Sequence, residues 1–338
     1  MVEAGHVVRD HDAVSSNAHG PVRGWHVVMT GGGGFIGSYV LARMIGLGMD
    51  VTLIGPDLGR SRYTASVVAA GDARFVRCDA GFGDGATLQA LSDADTLVLF
   101  DATSSPSESP PERLVDEVEA NLPPLARLVQ AFSTRGRHVV FASSSAVYGD
   151  PIRTPARESD LPRPRSAFAV AKVACEHALR ICSGSATASI LRYATVYGPG
   201  ETASHTIPTF IRAALGGQAP TVVGEGLDER DYIHVADAVE ATLSALQRHA
   251  DGIYNVGTGI GTTTIELANL VVWLTGGPAA AVRRVDPDNE SGRACLVLDT
   301  SRMRSELGCE PRHALPDGLK DEIGWFRAQF GSDLKTAA

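Results

Sequence analysis

From residue 25 onward, short runs of consecutive apolar residues alternate with longer stretches in which apolar positions recur every three or four residues. The runs at 26–30, 51–54, 74–77, 96–100, 138–142 and 189–192 predict strands. The stretches at 35–47 and 112–133 predict helices, the second interrupted or restarted near Pro123-Pro124, and a further helix carries Lys172. Strands that read as unbroken apolar runs are covered on both faces, which is the situation of a parallel sheet with crossover helices. The order of elements therefore predicts an α/β fold, a doubly wound parallel sheet. Beyond Gly198 the pattern loosens and glycine and proline become more frequent, as in a smaller α/β lobe closing over the carboxyl ends of the strands. The expected organisation is a disordered extension over 1–24, a first domain over 25–195 and a second lobe mainly over 196–338. Segments at about 230–257 return to the first domain, because the run at 253–256 reads as another sheet strand.

Composition narrows the classes. With 338 residues, 44% hydrophobic and 20% charged, the chain can bury a substantial core. A formal net charge of −9 supplies no basic field for nucleic acid or an anionic membrane, and an anionic ligand would need local cations. No run is long and apolar enough to cross a bilayer, and the first 24 residues lack the apolar core of a signal peptide. Cys78, Cys175, Cys182, Cys295 and Cys309 form no CxxC pair, and no His/Cys spacing matches a metal site, so a cytoplasmic protein without bound metal is expected. His138, His205 and His234 read as structural, with His205 beside a loop that borders the substrate.

Chemistry concentrates in a few motifs. Thr30-Gly-Gly-Gly-Gly-Phe-Ile-Gly37 follows a strand and opens a helix. Gly31, Gly34 and Gly37 suit a tight turn, a close approach to a pyrophosphate and close helix packing, and the amides of Phe35 and Ile36 begin the helix that receives the phosphates. This is a Rossmann-like dinucleotide loop with GxxGxxG spacing. Further on come Arg77-Cys-Asp-Ala80, Phe141-Ala-Ser-Ser-Ser-Ala-Val-Tyr-Gly149, Ser166-Ala-Phe-Ala-Val-Ala-Lys172, Leu191-Arg-Tyr-Ala-Thr-Val-Tyr-Gly-Pro-Gly200, Arg230-Asp-Tyr-Ile-His-Val-Ala-Asp237, Tyr254-Asn-Val-Gly257 and Glu306-Leu-Gly308. In this order, along nearly the whole chain after residue 25, they resemble the extended short-chain dehydrogenase/reductases, specifically the NAD-dependent epimerase/dehydratase family. Within it the chain resembles nucleotide-sugar enzymes of the UDP-glucose 4-epimerase type.

The resemblance implies roles residue by residue. Gly31, Gly34, Phe35, Ile36 and Gly37, with Asp79 and Ala80 at the adenine, Tyr193, and Lys172 at the nicotinamide ribose, correspond to cofactor contacts. The family's ribose-binding carboxylate falls on Gly55, leaving two readings: Asp57 reaches the ribose of NAD, or Arg60 and Arg62 hold the extra phosphate of NADP. A nucleoside diphosphate sugar is the implied substrate, with Thr103, Ser144, Ser145, Thr195, Arg230 and Arg293 as contacts. Arg230 supplies the cation for the diphosphate, its alternative being an ion pair with Asp231 or Glu229. Two places depart from the family: its second phosphate arginine falls near Asn289, and Thr195 stands where many relatives have asparagine.

The largest departure is Phe168. The family's proton-transferring tyrosine falls there, four residues before Lys172 and on the same helix face, with Ser144 as the catalytic hydroxyl. Phenylalanine fills the space and carries no proton. Ser145 and Ala146 replace the acidic pair of the 4,6-dehydratases. What the resemblance leaves is an epimerase, in which hydride moves from C4 of the sugar to the nicotinamide through a transient 4-keto sugar, or a dehydrogenase or decarboxylase. With Phe168 in place the chain is an inactivated or divergent form, its proton routed through Ser144, Tyr148 or a water. Alternatively it is a non-redox isomerase or cyclase, or a protein that binds NAD(P) or nucleotide sugar. The family also implies a homodimer formed through helices like those at 111–133 and 166–184.

Overall fold

Seven parallel strands make the main sheet. The computed structural model of the chain describes residues 22–78, 84–100, 110–134, 136–201, 205–277, 282–285 and 294–330. In chain order the first half runs β1 (His26–Thr30), α1 (Phe35–Gly46), β2 (Asp50–Gly55), α2 (Arg62–Ala70), β3 (Arg74–Arg77), α3 (Gly85–Asp93), β4 (Thr96–Leu99), α4 (Leu114–Phe132), β5 (His138–Ser144) and α5 (Ala167–Cys182). It continues with β6 (Thr187–Tyr193), β7 (Thr195–Tyr197), α6 (Thr206–Leu215), β8 (Thr221–Val223), β9 (Glu229–His234), α7 (Val235–Arg248) and β10 (Gly252–Val256). Last come β11 (Gly261–Thr263), α8 (Thr264–Thr275), β12 (Arg283–Val285), β13 (Cys295–Leu296) and α9 (Leu315–Phe330). The expected extension (residues 1–21 of it), Asp79, Ala80, Thr103, Asn289 and Arg293 lie outside the described residues.

The strand order is β10-β6-β5-β4-β1-β2-β3, every neighbouring pair parallel. Alternate side chains enter two cores. Val27, Met29, Val140, Leu191 and Tyr254 meet Tyr39, Leu41 and Met44 of α1 and Val239, Leu243 and Leu246 of α7. Val28, Leu97, Val139, Phe141 and Ile190 meet Leu128, Val129 and Phe132 of α4 and Cys175 and Leu179 of α5. Both faces are therefore covered, which is why the strands read as unbroken apolar runs. A third core gathers Tyr197, Phe210, Ile211, Val222, Tyr232, Leu267, Ile323 and Phe326 around a smaller set of strands in which β9 is flanked by β7, β11 and β13, while β8 pairs with β12.

Two details differ from the sequence pattern. Helix α4 runs unbroken through Pro123 and Pro124. The carbonyls left without an amide partner, those of Glu119 and Ala120, belong to exposed residues that water can serve, while Leu125, Leu128, Val129 and Phe132 hold the second half in the core. Of the segment 230–257, only α7 and β10 return to the main sheet, β10 pairing with β6; β9 belongs to the smaller sheet, where Thr195–Tyr197 of β7 is its parallel neighbour. The cysteines also divide: Cys78 and Cys175 are buried, and Cys182, Cys295 and Cys309 are half-buried.

At the amino end of the sheet, away from the glycine loop, His138 is fully buried. Its ring pairs with Thr187 Oγ1 at 2.8 Å and Ser189 Oγ at 3.0 Å and stacks on His249 with centroids 5.0 Å apart. Burial first, and the neighbouring His249 second, push its pKa down to about 3. Between about 6.5 and 3 the unfolded chain takes up a proton that the folded ring refuses, so stability falls as pH drops through that window. Urea unfolding of the parent and a His138→Gln variant at pH 7 and pH 5 measures this. The parent should lose about 2 kcal/mol more than the variant, and a gap between the two forms that ignores pH would refute it.

Candidate active site

The chain leaves β1 and turns toward β2 on one side, while β4, β5, β6 and β10 are laid down on the other. Strand order thus reverses between β1 and β4, and the crevice outside their carboxyl ends is where α/β sheets of this kind receive ligands. Gly31–Gly34 fills that turn. Gly34 caps α1 in extended conformation with no side-chain hydrogen bond, so the amides of Phe35, Ile36 and Gly37 point outward uncapped, as a phosphate requires. A Cβ on Gly37 would strike the Gly31 carbonyl, and one on Gly33 would strike the Leu58 carbonyl. Gly33, which the motif spacing did not single out, is thus the point where the β2 loop closes on the glycine turn. The amides of Arg60 and Ser61 donate to the Gly33 carbonyl at 3.2 Å each, and Thr64 Oγ1 donates to the Gly32 carbonyl at 2.8 Å. Asp57 is exposed and its carboxylate accepts the Gly59 amide at 2.7 Å, so it holds its own loop; Arg60 and Arg62 are exposed beside it. Tyr193 is buried, with its hydroxyl in the core against Thr242 Oγ1 at 2.7 Å, so only its backbone at the end of β6 reaches the crevice rim.

The second half of the site is assembled by β5 and α5. Ser166 caps α5 by accepting the Ala169 amide at 3.2 Å, which starts the helix so that Phe168 and Lys172 face β5 one turn apart. Both are buried, at 7% and 4% exposure. Lys172 Nζ donates to the Ala142 carbonyl at 2.9 Å and lies 4.9 Å from the Phe141 ring centroid and 5.7 Å from that of Phe168. The ammonium is therefore buried against the Ala142 carbonyl and the faces of two rings. Ser144 ends β5; its Oγ accepts the Ala146 amide at 3.1 Å, which caps the following turn and leaves its own proton to donate. Ser145 is buried in that turn.

Tyr148 is no substitute for a phenol at 168. Its hydroxyl donates to Asn255 Oδ1 at 2.6 Å at the bottom of the core, its ring lies under the Arg192 guanidinium at 4.8 Å, and burial pushes its pKa up to about 12. The side chains that sequence reasoning missed surround it: buried Ser143, Glu176, Arg192 and Asn255, with half-buried Glu158, form one hydrogen-bonded group. Their polarity was visible, but nothing in their spacing distinguishes a buried partner from a solvated one.

On the smaller sheet, Thr195 is half-buried opposite Tyr232, and Arg230 is half-buried opposite Thr262 and Leu296. The ion pair of Arg230 with Asp231 or Glu229 does not form among the described residues. Asp231 instead accepts from the Thr258 amide and hydroxyl and the Gly259 amide, and Glu229 accepts from Cys295 Sγ at 3.1 Å. No group of three or more His, Cys, Asp or Glu is placed to hold a metal among the described residues.

With this geometry in view, the family is shown. The model of the NAD dependent epimerase/dehydratase family matches residues 27–257, and the chain belongs to that family. It is 31% identical over 313 residues to a UDP-glucose 4-epimerase of Mycolicibacterium smegmatis (strain ATCC 700084 / mc(2)155), covering 89% of this chain and 98% of the relative. To a UDP-N-acetyl-alpha-D-glucosaminuronate decarboxylase of Bacillus cytotoxicus it is 28% identical over 319 residues, covering 89% and 97%. Among solved structures it resembles MoeE5 in complex with UDP-glucose and NAD, with TM-score 0.76 and 28% identity over 90% of this chain and 99% of that one.

Beneath the loop that follows β7, two buried carboxyls meet. Glu201 pairs with His205 Nδ1 at 2.5 Å, whereas neither carboxyl oxygen of Glu322 on α9 has a partner of normal hydrogen-bond geometry among the described residues. Burial first, and the Glu201 charge second, hold Glu322 well above the usual carboxylate range; the Gly198 amide and the Arg212 charge oppose the shift. A raised folded pKa means stability that is complete below the unfolded value near 4.5 and is lost as pH climbs through the folded one. Glutamine imitates the protonated acid. Thermal melts should therefore show Glu322→Gln gaining on the parent between pH 5 and pH 8, by roughly 2–4 °C per kcal/mol. A melting difference that does not move with pH would show that Glu322 is ionised in the fold.

Proposed function

We propose that the chain binds NAD along the β1–β4 crevice and a nucleoside diphosphate sugar between that crevice and the smaller sheet. We propose further that its site is built for epimerisation through a 4-keto sugar. The observation that carries the reading is the Lys172 ammonium held beside the ring at position 168 and on the carbonyl of Ala142, two residues before Ser144 on β5. The fit to a dinucleotide rests on the uncapped amides of Phe35, Ile36 and Gly37 and on glycine surfaces that a Cβ would fill. Bound there, the nicotinamide would supply the hydride acceptor. The family, described as NAD dependent, and the NAD in the MoeE5 complex support NAD over NADP. Asp79, Ala80, Thr103 and Arg293 keep their proposed ligand roles.

Each side chain has a task in this reading. Lys172 holds the nicotinamide ribose and places a positive charge beside position 168. Ser144 donates its proton to the reacting sugar oxygen. Arg230 and Thr195 face the diphosphate, the neighbouring carboxylates Asp231 and Glu229 being engaged by Thr258, Gly259 and Cys295. At 168 the ring fills the space of a phenol without its oxygen, so the C4 hydroxyl meets no phenol there to take or return its proton. The same absence favours a second reading, a non-redox or binding role on the same site; the named decarboxylase relative keeps a third reaction type in view. Residues 25–195 as the cofactor domain, the remainder mainly as the substrate lobe, a homodimer through α4 and α5, and a cytoplasmic location complete the proposal. No described helix is long and apolar enough to cross a membrane.

The test compares the chain with Phe168→Tyr against UDP-, dTDP- and GDP-sugars in the presence of NAD, with products followed by NMR. The tyrosine form should turn over on the order of 10²–10⁴ times faster. Equal rates in the two forms would place proton transfer on another group. Binding of cofactor and sugar nucleotide without turnover in either form would establish the binding role instead.

A further inference from the structure

We propose that Ser143, Glu176 and Arg192 form a positioning brace that aims Lys172 at position 168 instead of at its own helix neighbour. The inference rests on the reading of Lys172, position 168 and Ser144 as the reacting site, and goes beyond it by assigning three residues that touch neither substrate nor cofactor.

Glu176 lies one turn after Lys172 on α5, and a lysine and glutamate four residues apart on a helix pair readily. In this chain both Glu176 oxygens are already occupied. Arg192 Nε donates to Oε1 at 3.0 Å, Arg192 Nη2 donates to Oε2 at 2.6 Å, and Ser143 Oγ donates to Oε1 at 2.5 Å. The forked geometry fixes the carboxylate in plane and in distance. Lys172 turns the other way, to the Ala142 carbonyl and the rings of Phe141 and Phe168. Successive residues of β5, Ala142 and Ser143, are thus gripped by successive turns of α5, and Ser144 is the next residue along. Arg192 sits on β6 directly opposite Ser143 in the parallel register, so the two strands and the helix are tied at one height. The Glu158 carbonyl at 3.4 Å from Arg192 Nη1 and the Tyr148 ring beneath the guanidinium hold the arginine in turn.

Stability alone does not account for the arrangement. Glu176 and Arg192 are 4% and 2% exposed, and a buried ion pair can often be replaced by apolar side chains without loss of stability. What apolar packing cannot supply is a directional claim on Glu176 that keeps it from Lys172. Arg192→Lys keeps the charge but loses the fork, and frees one carboxylate oxygen for Lys172.

The experiment follows ionisation of the phenol introduced by Phe168→Tyr, as tyrosinate absorbance against pH with the Phe168 chain subtracted. In this background Lys172→Met should raise the phenol pKa, because the neighbouring cation is gone. No change would overturn the site reading and the brace with it. Given that rise, Arg192→Lys should reproduce a large part of it, about one pH unit, and the milder Ser143→Ala a smaller part. A core control, Leu128→Ala on α4, should lower the melting temperature and leave the phenol unmoved. If Arg192→Lys and Ser143→Ala both lower the melting temperature without moving the phenol, while Lys172→Met does move it, the brace is only structural and the site reading survives.

Discussion

Parallel pairing is the constraint from which the rest of this molecule follows. A parallel neighbour cannot be reached by a tight turn, so each strand is followed by a crossover that must lie on one face of the sheet or the other. Covering both faces makes the strands apolar throughout, and sending α1 and α7 to one face and α4 and α5 to the other forces the chain to reverse direction at β1. The crevice at that reversal is a consequence of winding, present before any particular side chain is chosen. The glycines then decide what it receives. Residues without Cβ let α1 approach β1 and let the β2 loop close on the turn, and the uncapped first amides of α1 face what remains.

Within this frame, buried charge is handled in three distinct ways. Arg192 and Glu176 neutralise each other through a fork, with Ser143 taking a share of one oxygen. Lys172 lies against the Ala142 carbonyl and the faces of Phe141 and Phe168, with no share in the Arg192–Glu176 fork. Glu322, without a well-formed hydrogen bond, is held toward its neutral form by burial and by Glu201. Glu176 and Lys172 both belong to α5 and stand one turn apart, yet their charges are met by different elements, one by β6 and the Ser143 hydroxyl and the other by the β5 backbone and aromatic rings.

The same physics explains how much could be read from the sequence. Both faces of β1, β4, β5 and β6 are buried, so the strands announced themselves as apolar runs, and the motif order identified the loop and the Phe168–Lys172 helix face. In the smaller lobe β7, β8 and β11 to β13 are only two or three residues long and at most partly buried, so they carry no such signal. Pro123-Pro124 suggested a break because local sequence cannot show that the carbonyls they orphan face water. Tyr193 and Asp57 were placed at the cofactor by motif position, but their side chains are engaged elsewhere, one in the core and one in its own turn. Ser143, Glu176 and Arg192 escaped notice because a polar residue inside an apolar strand or helix declares its burial only when its partner on another element is known.

Phe168 can now be weighed against its surroundings. A tyrosine would present the same ring to Lys172, and the cation–π contact depends on the ring face, which the hydroxyl barely alters. Exchange between the two residues therefore leaves the ammonium, the Ala142 carbonyl and the packing of α5 on β5 essentially undisturbed. The fold supplies no structural reason to prefer phenylalanine, and burial at 7% exposure supplies none to exclude a phenol whose oxygen reaches the crevice. What changes is confined to one oxygen and the proton it would carry. The supports of position 168 are thus indifferent to the exchange: the Ala142 carbonyl, the ring faces and the packing of α5 on β5 serve either residue alike.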